Sequence, residues 1–269
     1  KYLNGYLSRL RCDGYWQKNH KHMRNYVLVS PFPTAKVITD SLADNRIKTY
    51  GTSLQADWQL GESNFLITGY EFVQDQLEAD TDARSSMSMR SMLMSDTQTH
   101  RFNKGKETTN AIFASMETSL PMDFMVNYGV RYTWVNSKLS KASASLNGFD
   151  RNGQYKNFDD GSAGKTGSDR NNRPVFNLSL NWTGLPDTSL RAGWSQGFRV
   201  PNLQEKSLMN SMGGGTIFGN PNLKPEKSNN FEIGARYAGS AVEADFALFY
   251  NLADDYISTI RIYPDVGTK

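Results

Sequence analysis

From Met122 to Trp134 every second residue is large and apolar. Met122, Phe124, Val126, Tyr128, Val130, Tyr132 and Trp134 fall on one side of an extended chain, and Asp123, Met125, Asn127, Gly129, Arg131 and Thr133 on the other. Side chains alternate across a strand, so this spacing predicts a β-strand with one apolar and one wet face. Phe176 to Thr183 repeats it, with Phe176, Leu178, Leu180 and Trp182 opposite Asn177, Ser179, Asn181 and Thr183. Phe231 to Tyr237 and Val242 to Tyr250 do likewise, and weaker versions lie at Leu54 to Leu60, Phe65 to Glu71 and Leu190 to Phe198. With Tyr2 to Leu10 and Tyr26 to Ser30 counted as further strands, roughly ten to twelve are expected.

The links between these strands alternate in length. Short ones fall at Gly61 to Ser63, Leu120 to Pro121, Gly184 to Thr188 and Ala238 to Ser240, rich in Gly, Pro, Ser and Asp as tight turns require. Long polar ones are expected at Asp80 to Glu107, Ala142 to Asn172 and Pro201 to Lys227. Short turns on one rim and long loops on the other are what a membrane β-barrel shows. A soluble sheet packed on a core gives the same alternation, but loops of that length are uncommon in compact soluble domains. Aromatics near strand ends (Trp58, Tyr70, Tyr132, Trp134, Trp182, Trp194, Tyr237, Tyr250) fit an interfacial girdle. Arg131, Arg191, Arg236, Asp57 and Glu243 on the polar faces fit a wet lumen.

Composition alone suggests otherwise, with 21% charged residues and a mean hydropathy of −0.59. No run of ~18 apolar residues exists, which excludes a transmembrane helix. It does not bear on a barrel, where only every second residue meets lipid. The formal net charge of +3 gives no support to nucleic-acid binding. The single cysteine, Cys12, allows no disulfide within the chain.

One stretch is worded distinctively. Gly197-Phe198-Arg199-Val200-Pro201 is followed, after the glycines Gly213, Gly214 and Gly215, by Asn220-Pro221-Asn222-Leu223-Lys224-Pro225-Glu226-Lys227-Ser228 and then Phe231-Glu232-Ile233-Gly234. The pair resembles the Phe-Arg-Ala-Pro and Asn-Pro-Asn-Leu boxes of TonB-dependent outer-membrane receptors, with valine in place of alanine. The resemblance covers mainly residues 46 to 260. It implies an all-β fold, a transmembrane antiparallel β-barrel of about 22 strands around a plug, with long extracellular loops and short periplasmic turns. Residues 1–269 are then expected to be a partial barrel region, lacking the plug and the closing strands, with no secretory signal in KYLNGYLSRLRCDG. A complete small barrel of ten or twelve strands is the structural alternative. In the boxes, Phe198, Arg199, Pro201, Asn220, Pro221, Asn222, Leu223, Pro225 and Glu226 are expected to shape the loop rather than to touch cargo.

The resemblance further implies a location in the Gram-negative outer membrane, among lipid and lipopolysaccharide. It implies active import driven by the TonB-ExbB-ExbD system, and exposed loops that colicins or phage could exploit. No permanently bound cofactor is expected. The cargo would be a ferric siderophore, haem or cobalamin. Haem receptors with these boxes usually carry a histidine between them, and residues 202 to 219 contain none. A ferric siderophore is therefore the first choice, haem the second. An anionic or oxygen-rich chelate calls for cations and aromatics. The loop candidates are Arg84, Arg90, His100, Arg101, Lys104, Lys106, Arg151, Tyr155, Lys156, Lys165, Arg170, Arg173, Arg199 and Gln204.

Three other features compete. Met87, Met89, Met92 and Met94 could offer soft sulfur to Cu(I), although methionine more commonly fills gaps. His20 and His22 share one side of a strand, but no third ligand is visible. Asp96 and His100 are the one loop Asp/His pair close in sequence, and no nucleophile motif accompanies them, so the chain is not read as an enzyme. An adhesin remains open.

Overall fold

The computed structural model describes residues 6–149, 154–158, 166–207, 209–212, 215–220 and 222–259. Its strands run in chain order as β1 (Leu7–Phe32), β2 (Ala35–Gln59), β3 (Asn64–Met89), β4 (Met92–Leu120), β5 (Phe124–Phe149), β6 (Tyr155–Phe158), β7 (Gly167–Leu185) and β8 (Thr188–Arg199). A short helix α1 (Leu203–Ser207) follows, then β9 (Met209–Met212), β10 (Gly215–Phe218), β11 (Glu226–Ala238) and β12 (Glu243–Asp254). One sheet carries the order β1-β2-β3-β4-β5-β7-β8-β11-β12 with β6 added to β5, and β9 pairs β10 separately. Every pairing is antiparallel. The order ends at β1 and β12, which are not paired to each other among the described residues. The sheet is an arc of barrel wall, not the small closed barrel held as the alternative.

Register shows the two faces directly. The row Leu66–Met116–Tyr128–Leu178–Trp194–Phe231–Tyr250 runs across seven strands from β3 to β12. These residues are exposed or half-exposed, as a lipid-facing surface must be. Phe124 and Trp182 lie 6.0 Å apart by the short-turn rim, and Tyr132 and Trp134 5.8 Å apart higher on β5. On the other face Arg131 meets Glu71 at 2.6 Å, and Arg191 meets Glu232 and Asp245, each at 2.9 Å. The expected lumen residues Arg131, Arg191, Arg236, Asp57 and Glu243 all share this face by register.

Three of the four short turns form where expected; the one expected at Leu120 and Pro121 lies instead at Pro121 to Asp123, so Met122 and Asp123, expected to open a strand, precede β5 as left-handed turn residues. Gly61 and Asp187 are the left-handed residues of two other turns. The other rim differs from expectation. Tyr26 to Ser30 is not a separate strand but lies near the end of the 26-residue β1, which begins at Leu7 within the expected Tyr2 to Leu10 strand. Asp80 to Glu107 is not a loop: β3 and β4 continue through it to a two-residue turn at Arg90 and Ser91, both left-handed. Much of Ala142 to Asn172 belongs to β5, β6 and β7, and Pro201 to Lys227 holds α1 and the β9–β10 hairpin. A strand of 25 to 29 residues reaches ~85 Å, whereas crossing the hydrocarbon takes about 9–11 residues. The first five strands therefore stand well clear of the membrane as ribbons.

Those ribbons lose the apolar/polar alternation because water lies on their outer side. The outward positions Asp44, Arg46, Glu78, Lys104 and His100 are charged or titratable, while the inward ones are small or polar: Ala43, Asn45, Ala79, Thr81 and Asn103. Ala43, Ala79, Thr81, Arg101 and Asn103 are nonetheless buried. Apart from α1, no other layer among the described residues packs on them, so the curl of the sheet itself encloses them.

Candidate functional site

The two boxes meet on the concave side of the wall, just beyond the apolar band, which on β8 and β11 ends at Phe198 and Phe231. β8 delivers Arg199, and the chain then turns inward at Pro201, which is fully buried. Asn202 caps α1 reciprocally: the Glu205 amide donates to Asn202 Oδ1 and the Asn202 amide to Glu205 Oε2, both at 2.9 Å. The helix is thereby fixed although it has only five residues. It inserts Leu203 into a small apolar cluster with Leu77 and Ala79, flanked by Ile47. Gly105 makes room for it, since a Cβ there would come within 2.8 Å of Leu203 Cδ1.

Arg199 joins both boxes to this helix. Its Nε donates to Glu226 Oε2 at 2.7 Å and its Nη2 to Glu226 Oε1 at 3.0 Å, while Nη1 reaches both oxygens of Glu205. The Asn220 amide donates to the Glu205 carbonyl at 2.9 Å, and Asn220 Oδ1 accepts from the Asn222 amide, an Asx turn that starts the second box. Arg199 first, and then the Ile257 amide, hold the Glu226 carboxyl down to about 2. The expectation that these residues shape the loop has this physical content. Leu223 and Pro225 are half-buried in the same segment, and Pro221 lies outside the described residues.

Further along the concave face, Lys206 of α1 pairs with Asp169, and Ser137 Oγ donates to Glu107 Oε2 at 2.7 Å. Burial pushes the Glu107 carboxyl up, against the pull of Ser137. Thr49 Oγ1 donates to Asp75 at 2.5 Å. The sequence singled out Arg199, Asn220 and Glu226 of the clasp, but none of Asp75, Glu107 and Asp169 of this polar floor. Asn202-x-x-Glu205 was a readable capping signature, but Asp75, Glu107 and Asp169 lie far apart in the chain and meet only through register.

The sheet separates the candidate cations by side. Arg84, His100, Lys104, Lys106 and Arg170 face outward, while Arg101, Arg173 and Arg199 face inward. The outward set is largely committed: Arg84 forks Asp96 at 2.9 and 2.6 Å, and Lys104 meets Glu78 at 2.5 Å. Arg90 sits in the β3–β4 turn, and Tyr155 and Lys156 are exposed on β6, Tyr155 against Phe149. Arg151, Lys165, Gly213 and Gly214 lie outside the described residues, as does the side chain of Gln204.

His100 Nδ1 is 3.0 Å from Asp82 Oδ1 and 3.5 Å from Asp80 Oδ1. The ligand atoms of this trio lie within 4.8 Å of one another, a three-donor set of the kind hard or borderline divalent cations accept. It faces away from the lumen. His20 and His22 also face outward, Nε2 of the first 2.9 Å and Nδ1 of the second 3.7 Å from Asp44. Met89 and Met92 are register partners beside the turn, Met87 is paired with Ser95, and Met94 lies at a β-bulge.

Residues 4–269 match the family model described as TonB dependent receptor-like, beta-barrel. Over 97 residues, 35% of the chain, it is 37% identical to the iron-regulated outer membrane virulence protein of Vibrio cholerae serotype O1, and that match spans 14% of the relative. Among solved structures, the copper transporter OprC is similar over 94% of the chain with a TM-score of 0.64 and 17% identity. The ferric yersiniabactin uptake receptor FyuA of Yersinia pestis is similar over 95% with a TM-score of 0.53 and 16% identity. The chain spans 38% and 34% of those two proteins.

Proposed function

The chain belongs to the TonB-dependent receptor β-barrel family and lies in the outer membrane, and from that premise we propose that it forms part of the wall of a transporter importing an iron chelate, with a ferric siderophore as cargo. The observation that carries this reading is the 97-residue stretch 37% identical to a protein named for iron regulation. The chelate would enter on the concave side, where Arg173 and Arg199 lie. There the Arg199 clasp would set the shape of the segment from Arg199 to Glu226. Energy would come from TonB, ExbB and ExbD acting through a plug, with Arg131 and Arg191 lining the path. Haem ranks second because all three histidines of the chain face outward, away from that path.

The test is growth in iron-limited medium of a strain stripped of its own receptors and carrying the complete gene. Growth on a ferric siderophore is expected. Growth on haem alone, or copper accumulation without iron uptake, overturns the proposal.

A further inference from the structure

All three histidines of the chain stand among aspartates on the convex side of the first four ribbons. Register sets His22 of β1 beside Asp44 of β2, Asp44 beside Asp80 of β3, and Asp82 of β3 beside His100 of β4. Side chains two apart on a strand share a face, so these positions and His20 form one patch, on the stretch where the strands stand in water.

Like charges opposite one another on adjacent strands repel, and the patch relieves its three aspartates unequally. Asp44 has His20 at 2.9 Å and Arg46 at 3.1 Å. Asp80 and Asp82 share His100, with no lysine or arginine on either among the described residues. The arginines close by are taken, since Arg24 forks Asp40 and Arg84 forks Asp96. Asp80 Oδ1 is moreover the one buried side-chain oxygen or nitrogen among the described residues that has no hydrogen-bond partner. Such an atom is costly to leave unpaired, and a bound ion removes that cost.

We propose that Asp80, Asp82 and His100 bind a divalent transition-metal cation of the zinc class, with water completing its shell. The spacing fits. Two donors each about 2.1 Å from a shared cation stand about 3.0–3.4 Å apart at octahedral or tetrahedral angles, and His100 Nδ1 lies 3.0 Å from Asp82 Oδ1 and 3.5 Å from Asp80 Oδ1. The cation would take the place of the proton between Nδ1 and Asp82. The donor set selects the class: calcium and magnesium take oxygen ligands, whereas imidazole beside carboxylates suits zinc and its neighbours. His22 and Asp82 line one hollow with Leu42, which gives the cation and its waters an approach from outside. Bound there, it would join β3 to β4 and offset the acid patch. The inference is independent of the cargo.

The test uses the full-length receptor in detergent, free of any polyhistidine tag and stripped with chelator, titrated with zinc by calorimetry. Losing even an outer partner of a metal ligand costs about 10–100-fold in affinity, so Asp80→Asn and His100→Ala should each weaken one zinc equivalent at least about tenfold. His20→Ala and Asp40→Asn, which remove a convex histidine and a convex aspartate held in other pairs, should leave it unchanged. Zinc should also shield His100 but not His20 from carbethoxylation, read by peptide mass spectrometry, which places the ion independently of affinity. Millimolar calcium should not compete. Heat-modifiable migration of each variant reports that the barrel is folded. Wild-type affinity in His100→Ala, an equal loss in His20→Ala, labelling of His100 unchanged by zinc, or displacement by calcium overturns the proposal.

Discussion

Arg199 and Glu226 meet fork to fork across the β8–β11 seam, two parallel bonds of 2.7 and 3.0 Å that join the last residue of β8 to the first of β11. Such geometry adds direction as well as attraction, so lysine is not an equivalent substitute for this arginine. Arg199→Lys should loosen the segment between the boxes although the charge is kept. Because the arginine is partly exposed, a double-mutant cycle of Arg199→Ala with Glu226→Ala should give a coupling of about 1 kcal/mol at most, read from unfolding of the reconstituted barrel. Additive losses would mean the fork does not couple the boxes.

The same pair predicts an acid response. The folded Glu226 carboxyl sits at about 2, below the ordinary carboxylate range. Its contribution is fully present above that ordinary range and is lost as pH falls toward about 2. Hydrogen exchange of the Ile257 amide, which donates to Glu226 at 2.6 Å, should accelerate across that window. In Glu226→Gln it should be fast already at neutral pH and flat with acid.

Glu107 has the opposite sign. Burial raises its pKa, so the folded state favours the neutral acid, and a penalty absent at low pH grows as pH rises past the ordinary carboxylate value. Glu107→Gln keeps an acceptor for Ser137 and removes the charge. The variant should be more stable than the wild type at pH 7 and no different at pH 4 in denaturant unfolding of the barrel. A loss at pH 7 would show that the carboxylate is needed charged.

Helix α1 has one buried apolar side chain. Leu203→Ala removes its contact with Leu77, and large-to-small core changes of this kind cost about 2–5 kcal/mol; the cap and the ion pairs of Glu205 and Lys206 are then left to hold a five-residue helix without its apolar anchor. Proteolysis should then cut between Pro201 and Lys206 while the strands remain resistant. Gly105→Val should reproduce the phenotype by filling the space from the other side.

Legibility in the sequence followed the solvent. Where lipid meets one face, as from Phe124 to Trp134, alternation was unmistakable and the turn at Asp187 fell in place, although the pattern starts the strand two residues early, at Met122. Where water meets the outer face, as from Asp80 to Glu107, charged and small residues alternate without an apolar signal, and two strands read as a loop. The boxes were visible as wording, but the partnership of Arg199 with Glu226 needs the β8–β11 register. The polar floor of Asp75, Glu107 and Asp169 needs four strands aligned, which no local pattern encodes.

That register also decides which cations can reach cargo. A sequence list pools Arg84, Lys104 and Arg173 as equal candidates, yet the first two face outward and are paired with Asp96 and Glu78. Arg173 faces inward on β7 opposite Thr133, half-exposed and without an ion-pair partner among the described residues. A charge-assisted bond to a bound anion contributes about 1.5–3 kcal/mol, so Arg173→Ala should weaken chelate binding about tenfold or more. Arg84→Ala and Lys104→Ala should leave it unchanged. Tryptophan quenching titrations of the intact receptor with the transported chelate measure all three. Weakening by the outward pair with no effect at Arg173 would place capture on the convex side and reverse the proposed path.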